Sequence, residues 1–143
     1  MSALHYQGQK ESDDQDYCNQ AHFHIRHNVF FHDNTRLTPD DVVASLKRAI
    51  SPEMPGELGT EGVLRHYLAG ANIHTLNNDW VRIQFDAPFA DLLDLLVDIP
   101  VIPAALAPFS PEHPVGSGPY QFSRQEQHTL TLTAFEHHWA GRG

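Results

Sequence analysis

From Ala21 to Arg26 the chain alternates. Phe23 and Ile25 stand between His22, His24 and Arg26, the period-two pattern of a strand with one buried face. The polar stretch His32-Asp33-Asn34-Thr35 predicts a turn. The spacing then becomes helical: in TPDDVVASLKRAI, Val42, Val43, Leu46, Ala49 and Ile50 fall on one face. Both ends of that run carry agreeing signals, with Thr38 as the cap, Pro39 in the first position, Asp40 and Asp41 at the positive end of the helix dipole, and Lys47 and Arg48 at the negative end. Pro52 and Pro55 stop it.

Glu61 to Leu68 predicts a short second helix. ANIHTL and WVRIQF predict a β-hairpin turning at Asn77-Asn78-Asp79, with Val81, Ile83 and Phe85 on its core face. PFADLLDLLVD predicts a third helix opened by Pro88, with Phe89, Leu92, Leu93, Leu96 and Val97 inside and Asp91, Asp94 and Asp98 outside. Prolines at 100, 103, 108, 111, 114 and 119 exclude a long helix or a central strand and predict an extended connector. After it, LTLTAF alternates as a strand again. Residues 1–20 are polar and aperiodic, which predicts a flexible N-terminal arm. The sum is an α/β fold of the mixed α+β kind, a β-hairpin with two or three helices, in one domain.

Composition narrows the function classes. The chain has 143 residues, and 9 basic against 18 acidic side chains give a formal charge of -9, which repels phosphate backbones and argues against direct nucleic-acid contact. Eleven histidines make that charge depend on pH near about 6.5. No apolar run reaches the roughly 20 residues of a membrane-spanning helix, so no membrane insertion is expected. Cys18 is the single cysteine, which excludes an internal disulfide and a multi-cysteine zinc site. The opening residues lack a basic start followed by an apolar stretch, which predicts a cytoplasmic location, or a periplasmic one if a signal has been removed.

Candidate chemistry is sparse. His22 and His24 share one face of the predicted strand and are the weak candidates for a metal, with His27 or His32 arriving from the turn. Exposed polar residues on a solvent-facing strand and in a turn explain them more simply, and neither a metal nor a cofactor is expected. The carboxylates Asp91, Asp94 and Asp98 form a solvated helical stripe without the alternation of a calcium loop. No nucleophile elbow surrounds Ser45, Ser110, Ser117 or Ser123, so no catalytic residue is assigned and no enzyme is expected. VGSGPY, residues 115–120, lacks the glycine spacing and lysine of a phosphate loop. Gly116 and Gly118, with the freedom of glycine, and Pro119, with its fixed φ, predict a structural connector there.

Two stretches carry a family resemblance. FHIRHNVFFHDNTRLTPDDVVASLKRAI, followed at the right distance by VGSGPYQF and HHWAGRG, resembles the oligopeptide- and nickel-type extracytoplasmic solute-binding proteins, solute-binding protein family 5. Asn34 stands where that family usually has glycine, and asparagine too visits left-handed angles. The resemblance implies that residues 21–143 are a partial family 5 domain, part of lobe I, in a small subdomain of a periplasmic-binding-protein-like type II fold. AFEHHWAGR and DVVASLKR are most similar to the solute-binding portion of SgrR-type transcriptional regulators. On that resemblance the chain is a non-catalytic sensing segment whose full-length protein takes a small polar solute, a sugar, peptide or chelate, and meets DNA through an N-terminal domain outside this sequence. The alternatives are part of an ABC-transporter substrate-binding protein that delivers peptides or metal chelates to a permease, and a free-standing small interaction domain. No ligand-binding residue is assigned.

Overall fold

The computed structural model describes residues 4–6, 19–51, 60–106 and 113–141. Its centre is a four-stranded antiparallel sheet with strand order β1-β2-β4-β3, built from β1 (Leu4–Tyr6), β2 (Gln20–Ile25), β3 (Asn72–Asn77) and β4 (Trp80–Gln84). The expected hairpin is present as β3 and β4, with Asn77 Oδ1 accepting from the Asp79 amide at 2.9 Å in its turn. In β2, Ala21, Phe23 and Ile25 are buried, as the alternation requires, and they face Ile83 and Val81 of β4. The loose arm expected over residues 1–20 is not the whole account, because Leu4–Tyr6 pairs with Phe23–Ile25 and strand β2 already begins at Gln20.

Helix α1 (Pro39–Ala49) covers the core face of this sheet. Thr38 caps it in a full capping box: the Thr38 hydroxyl accepts from the Asp41 amide, and Asp41 Oδ2 accepts from the Thr38 amide at 2.8 Å. Val42 and Leu46 are buried, and Val43, Ala49 and Ile50 pack half-buried at the margin. Helix α2 (Thr60–Leu68) adds Leu64 and Leu68 to the same core. The proline stops at 52 and 55 lie outside the described residues.

The third helix departs from expectation. Helix α3 spans only Leu92–Val97, its N-cap Asp91 makes no side-chain hydrogen bond, and Leu92 alone is fully buried, while Leu93 is 49% and Val97 79% exposed. Under two turns, a helix cannot put five apolar residues on one surface. The loop between β2 and α1 does more than the sequence pattern indicated. Val29, Phe31 and Leu37 are almost completely buried, and Leu37 N–H donates to the Val29 carbonyl at 3.0 Å while Phe31 N–H donates to Thr35 at 2.8 Å. Asn34, with φ of 65°, makes the tight reversal in the left-handed region anticipated for it.

After the connector, whose described part includes a 3-10 turn (Ala104–Leu106), β5 (Tyr120–Glu126) and β6 (Thr129–Ala134) form a separate two-stranded antiparallel sheet. The residues after it fold back on the β2 end: the Arg26 guanidinium lies 4.8 Å from the Trp139 ring centre, and His137 Nδ1 is 2.8 Å from Asn34 Oδ1.

Candidate functional site

The connector VGSGPY is held by a residue 84 to 86 positions earlier in the chain. The Gly116 amide donates to His32 Nδ1 at 3.3 Å, so Nε2 carries the ring proton and donates to the Gly118 carbonyl at 3.0 Å. The His32 amide donates in turn to the Gly116 carbonyl at 2.8 Å. The half-buried ring also meets Phe135 edge-on, with centres 5.1 Å apart. His32 therefore grips both backbone directions of the loop and sets where β5 begins.

This changes the part played by the glycines. Among the described residues only Gly141 is a glycine with positive φ, at 76°, so neither Gly116 nor Gly118 uses the backbone freedom expected of it. A Cβ on Gly116 would come no nearer than 3.7 Å to His32 Cε1, and one on Gly118 would meet nothing within 4 Å. Pro119 keeps its place at the entry to β5, where its carbonyl accepts from Phe135 N–H at 2.8 Å. Side-chain hydrogen bonds from His32, rather than special glycine angles, shape the path. The signal in the sequence was the histidine of VFFHDN, which its place in the turn after His22 and His24 had put among the metal candidates.

The other end of the connector is fixed from α1. Buried Ser45 accepts from the Ile102 amide at 3.0 Å and donates to the Ile102 carbonyl at 3.2 Å, satisfying both polar groups of one extended residue. Asp41 Oδ1 accepts from the Ala104 amide at 2.8 Å. Between the two anchored ends lies a cavity of about 780 Å³ walled by Val101, Ile102, Val115, Tyr120, Phe122, Leu130 and Leu132. Its polar wall includes Arg48, whose carbonyl accepts from the Ser51 amide at 3.0 Å and whose guanidinium pKa is lowered by burial.

Among the described residues the histidines lie apart in different settings. His22 pairs in register with Arg82, which pairs on its other side with His74, and burial followed by these cationic neighbours lowers the His22 pKa. A cation in the middle of the row disfavours a second one. His24 packs edge-on against Trp80 and His27, at 5.0 and 5.5 Å between ring centres, and His32 is committed to the connector. Among the described residues no three histidine, cysteine, aspartate or glutamate side chains converge. A second, more polar cavity of about 490 Å³ lies at the other end of the sheet, between Arg26, His27, Arg36, Asp40 and Asp79. There Arg36 donates to His27 Nδ1, with Asp79 Oδ1 3.5 Å from the same nitrogen.

A two-layer unit whose connector is pinned at both ends matches a known pattern in sequence as well as shape. The profile of the bacterial extracellular solute-binding proteins, family 5 Middle, matches residues 9–143. The chain belongs to that family. No curated protein matches it in sequence. Among solved structures it resembles the binding protein AgaA of A. tumefaciens R10, in complex with agropinic acid, at 27% identity and a TM-score of 0.72 over 85% of this chain and 25% of that one. MoaA of the same strain, in complex with mannopinic acid, gives 25% identity and a TM-score of 0.74 over 91% and 27%. NikZ of Campylobacter jejuni, in complex with Ni(L-His), shares the fold at a TM-score of 0.75 and 19% identity over 98% and 30%. The fold is the mixed α/β, periplasmic-binding-protein-like fold of family 5. The chain spans between a quarter and a third of the length of these structures. No helix among the described residues is long and apolar enough to cross a membrane.

Proposed function

We infer that this chain is the supporting subdomain of a transport receptor, part of an ABC-transporter substrate-binding protein that holds a small polar solute without making or breaking bonds. The observation that carries this reading is the family match over nearly the whole chain, joined to 27% identity with a binding protein occupied by agropinic acid. Two of the similar solved structures, at 27% and 25% identity, are in complex with agropinic and mannopinic acids, so an opine-like acid is the first solute to try. In this reading the described unit braces a solute-binding lobe: α1 and His32 hold the connector, and the connector aims the β5–β6 hairpin. Solute binding would favour a closed arrangement of lobes, and a permease would read it. Gly116, Gly118 and Pro119 remain the proposed connector, residues 21–143 the proposed partial domain, and the location would be extracytoplasmic.

The regulator reading, a cytoplasmic sensor joined to a DNA-binding domain, rests on the resemblance of AFEHHWAGR and DVVASLKR alone. Two measurements on the whole gene product separate the readings. Calorimetric titration with agropinic acid, mannopinic acid, a nickel–histidine chelate and short peptides should give saturable heat with one class. Fractionation of the tagged product in its own cells should place it outside the cytoplasm. Cytoplasmic recovery with specific DNA retention would replace the transport reading by the regulator, and no heat with any solute would sink both.

A further inference from the structure

The polar cavity of about 490 Å³ is built where three elements meet, the end of β2, the start of α1 and the β3–β4 turn. Each charged group on its wall is held by a neighbour. Asp79 is fixed through its backbone, whose carbonyl accepts from the Ile25 amide at 2.8 Å and whose amide donates to Asn77 Oδ1 at 2.9 Å. Asp40 Oδ1 accepts from the Thr75 hydroxyl at 2.8 Å, which ties the first turn of α1 to β3. Arg36 donates to His27 Nδ1, so the imidazole is neutral in this arrangement and carries its proton on Nε2.

The wall is therefore two-signed. Arg36 and His27 Nε2–H are donors suited to a carboxylate, and a guanidinium matches that group with paired bonds. Asp40 and Asp79 offer carboxylates from α1 and from the turn, and Asn77 and Asn78 add amides. Arg36 gives a donor to a neutral ring although Asp79 Oδ1 stands 3.5 Å from the same nitrogen, so cation and anion meet side by side at one imidazole. A ligand of one sign finds there one partner and one repulsion, whereas a ligand of both signs finds a partner for each end. Groups already held in place also lower the ordering cost of binding. The volume lies within the roughly 300–1,000 Å³ of small-molecule sites.

We propose that this cavity binds a small zwitterion of the amino-acid class, its carboxylate on Arg36 and His27 Nε2–H and its ammonium on Asp40 and Asp79. All four side chains belong to this chain, so the site does not rest on the transport-receptor reading.

The test is hydrogen exchange of the whole gene product, read by mass spectrometry in peptides covering residues 25–27, 36–40 and 75–79. The probes are L-alanine and L-glutamine, with acetate and methylammonium as the two half-ligands. At least one amino acid should slow exchange saturably in all three segments, and each half-ligand should need at least about tenfold more to do so. Arg36→Gln and Asp79→Asn should each raise the amino acid concentration required by about tenfold or more, while Glu126→Gln, on the β5–β6 hairpin, should leave it unchanged. Melting temperatures show that the variants are folded. Acetate as effective as the amino acids would make this a plain anion site, and methylammonium as effective would make it a cation site; either result overturns the proposal. So would no protection from either amino acid, or protection that survives both substitutions. Because the readout is local to these segments, protection here without solute heat elsewhere would count against the transport reading alone.

Discussion

Removing the Ser45 hydroxyl tests whether α1 holds the connector. Ser45 is 1% exposed and faces Ile102, itself buried, with one hydrogen bond to its amide at 3.0 Å and one to its carbonyl at 3.2 Å. In Ser45→Ala both groups stay buried and lose their partner, and a buried orphan of this kind costs about 1–3 kcal/mol. Alanine is a better helix former than serine, which returns about 0.5 kcal/mol. The two orphans less that gain give an expected net loss of about 1.5–5.5 kcal/mol, larger than a single bond would give because one side chain serves donor and acceptor together. Urea unfolding followed by fluorescence of Trp80 and Trp139 measures it, and amide exchange at Ile102 localises it. If Ser45→Ala loses less than about 0.5 kcal/mol and the Ile102 amide stays as protected as before, the connector is held by something else and the reasoning fails.

The glycines give an opposed pair of outcomes: Gly118→Ala should leave the melting temperature unchanged or raise it, while Gly141→Ala, at φ of 76°, should cost about 1–2 kcal/mol; the reverse order in a thermal scan would show that the connector path is wrong. His32→Phe keeps the ring contact with Phe135 but removes both side-chain bonds to the loop, so the Gly116 amide should exchange faster with a loss of about 1–3 kcal/mol, and unchanged exchange would refute the clamp. Thr38→Ala should cost about 0.5–2 kcal/mol by removing the cap of α1, checked by urea midpoint. Burial and the Arg82 and His74 charges lower the His22 pKa, so below about 6.5 the unfolded chain binds the proton first and stability falls as pH drops through that window towards the folded value; His22→Gln should flatten that slope, and an unchanged slope would assign it to other groups.

What the sequence disclosed depended on how local the cause was. Helix α1 was legible to its ends because cap, first-turn proline, dipole charges and apolar spacing all lie within thirteen neighbouring residues and agree, Thr38 to Ile50. Strand β2 and the β3–β4 hairpin were legible for the same reason, since period two and a polar turn are local properties. Helix α3 was overread: PFADLLDLLVD has helical spacing, but spacing alone does not create a surface to bury against, and the chain leaves Leu93 and Val97 in solvent. The connector was misread in its mechanism. Glycine invites an explanation from its own backbone, yet the causes lie in His32 and Ser45, 57 to 86 residues away and joined to the loop only once the sheet and α1 have formed. The same argument applies to the apolar hairpin. LTLTAF announces a strand by itself, but nothing in its alternation determines that Leu130 and Leu132 stay half-exposed. A pattern of alternating leucines and threonines says which side needs burying and is silent on what buries it.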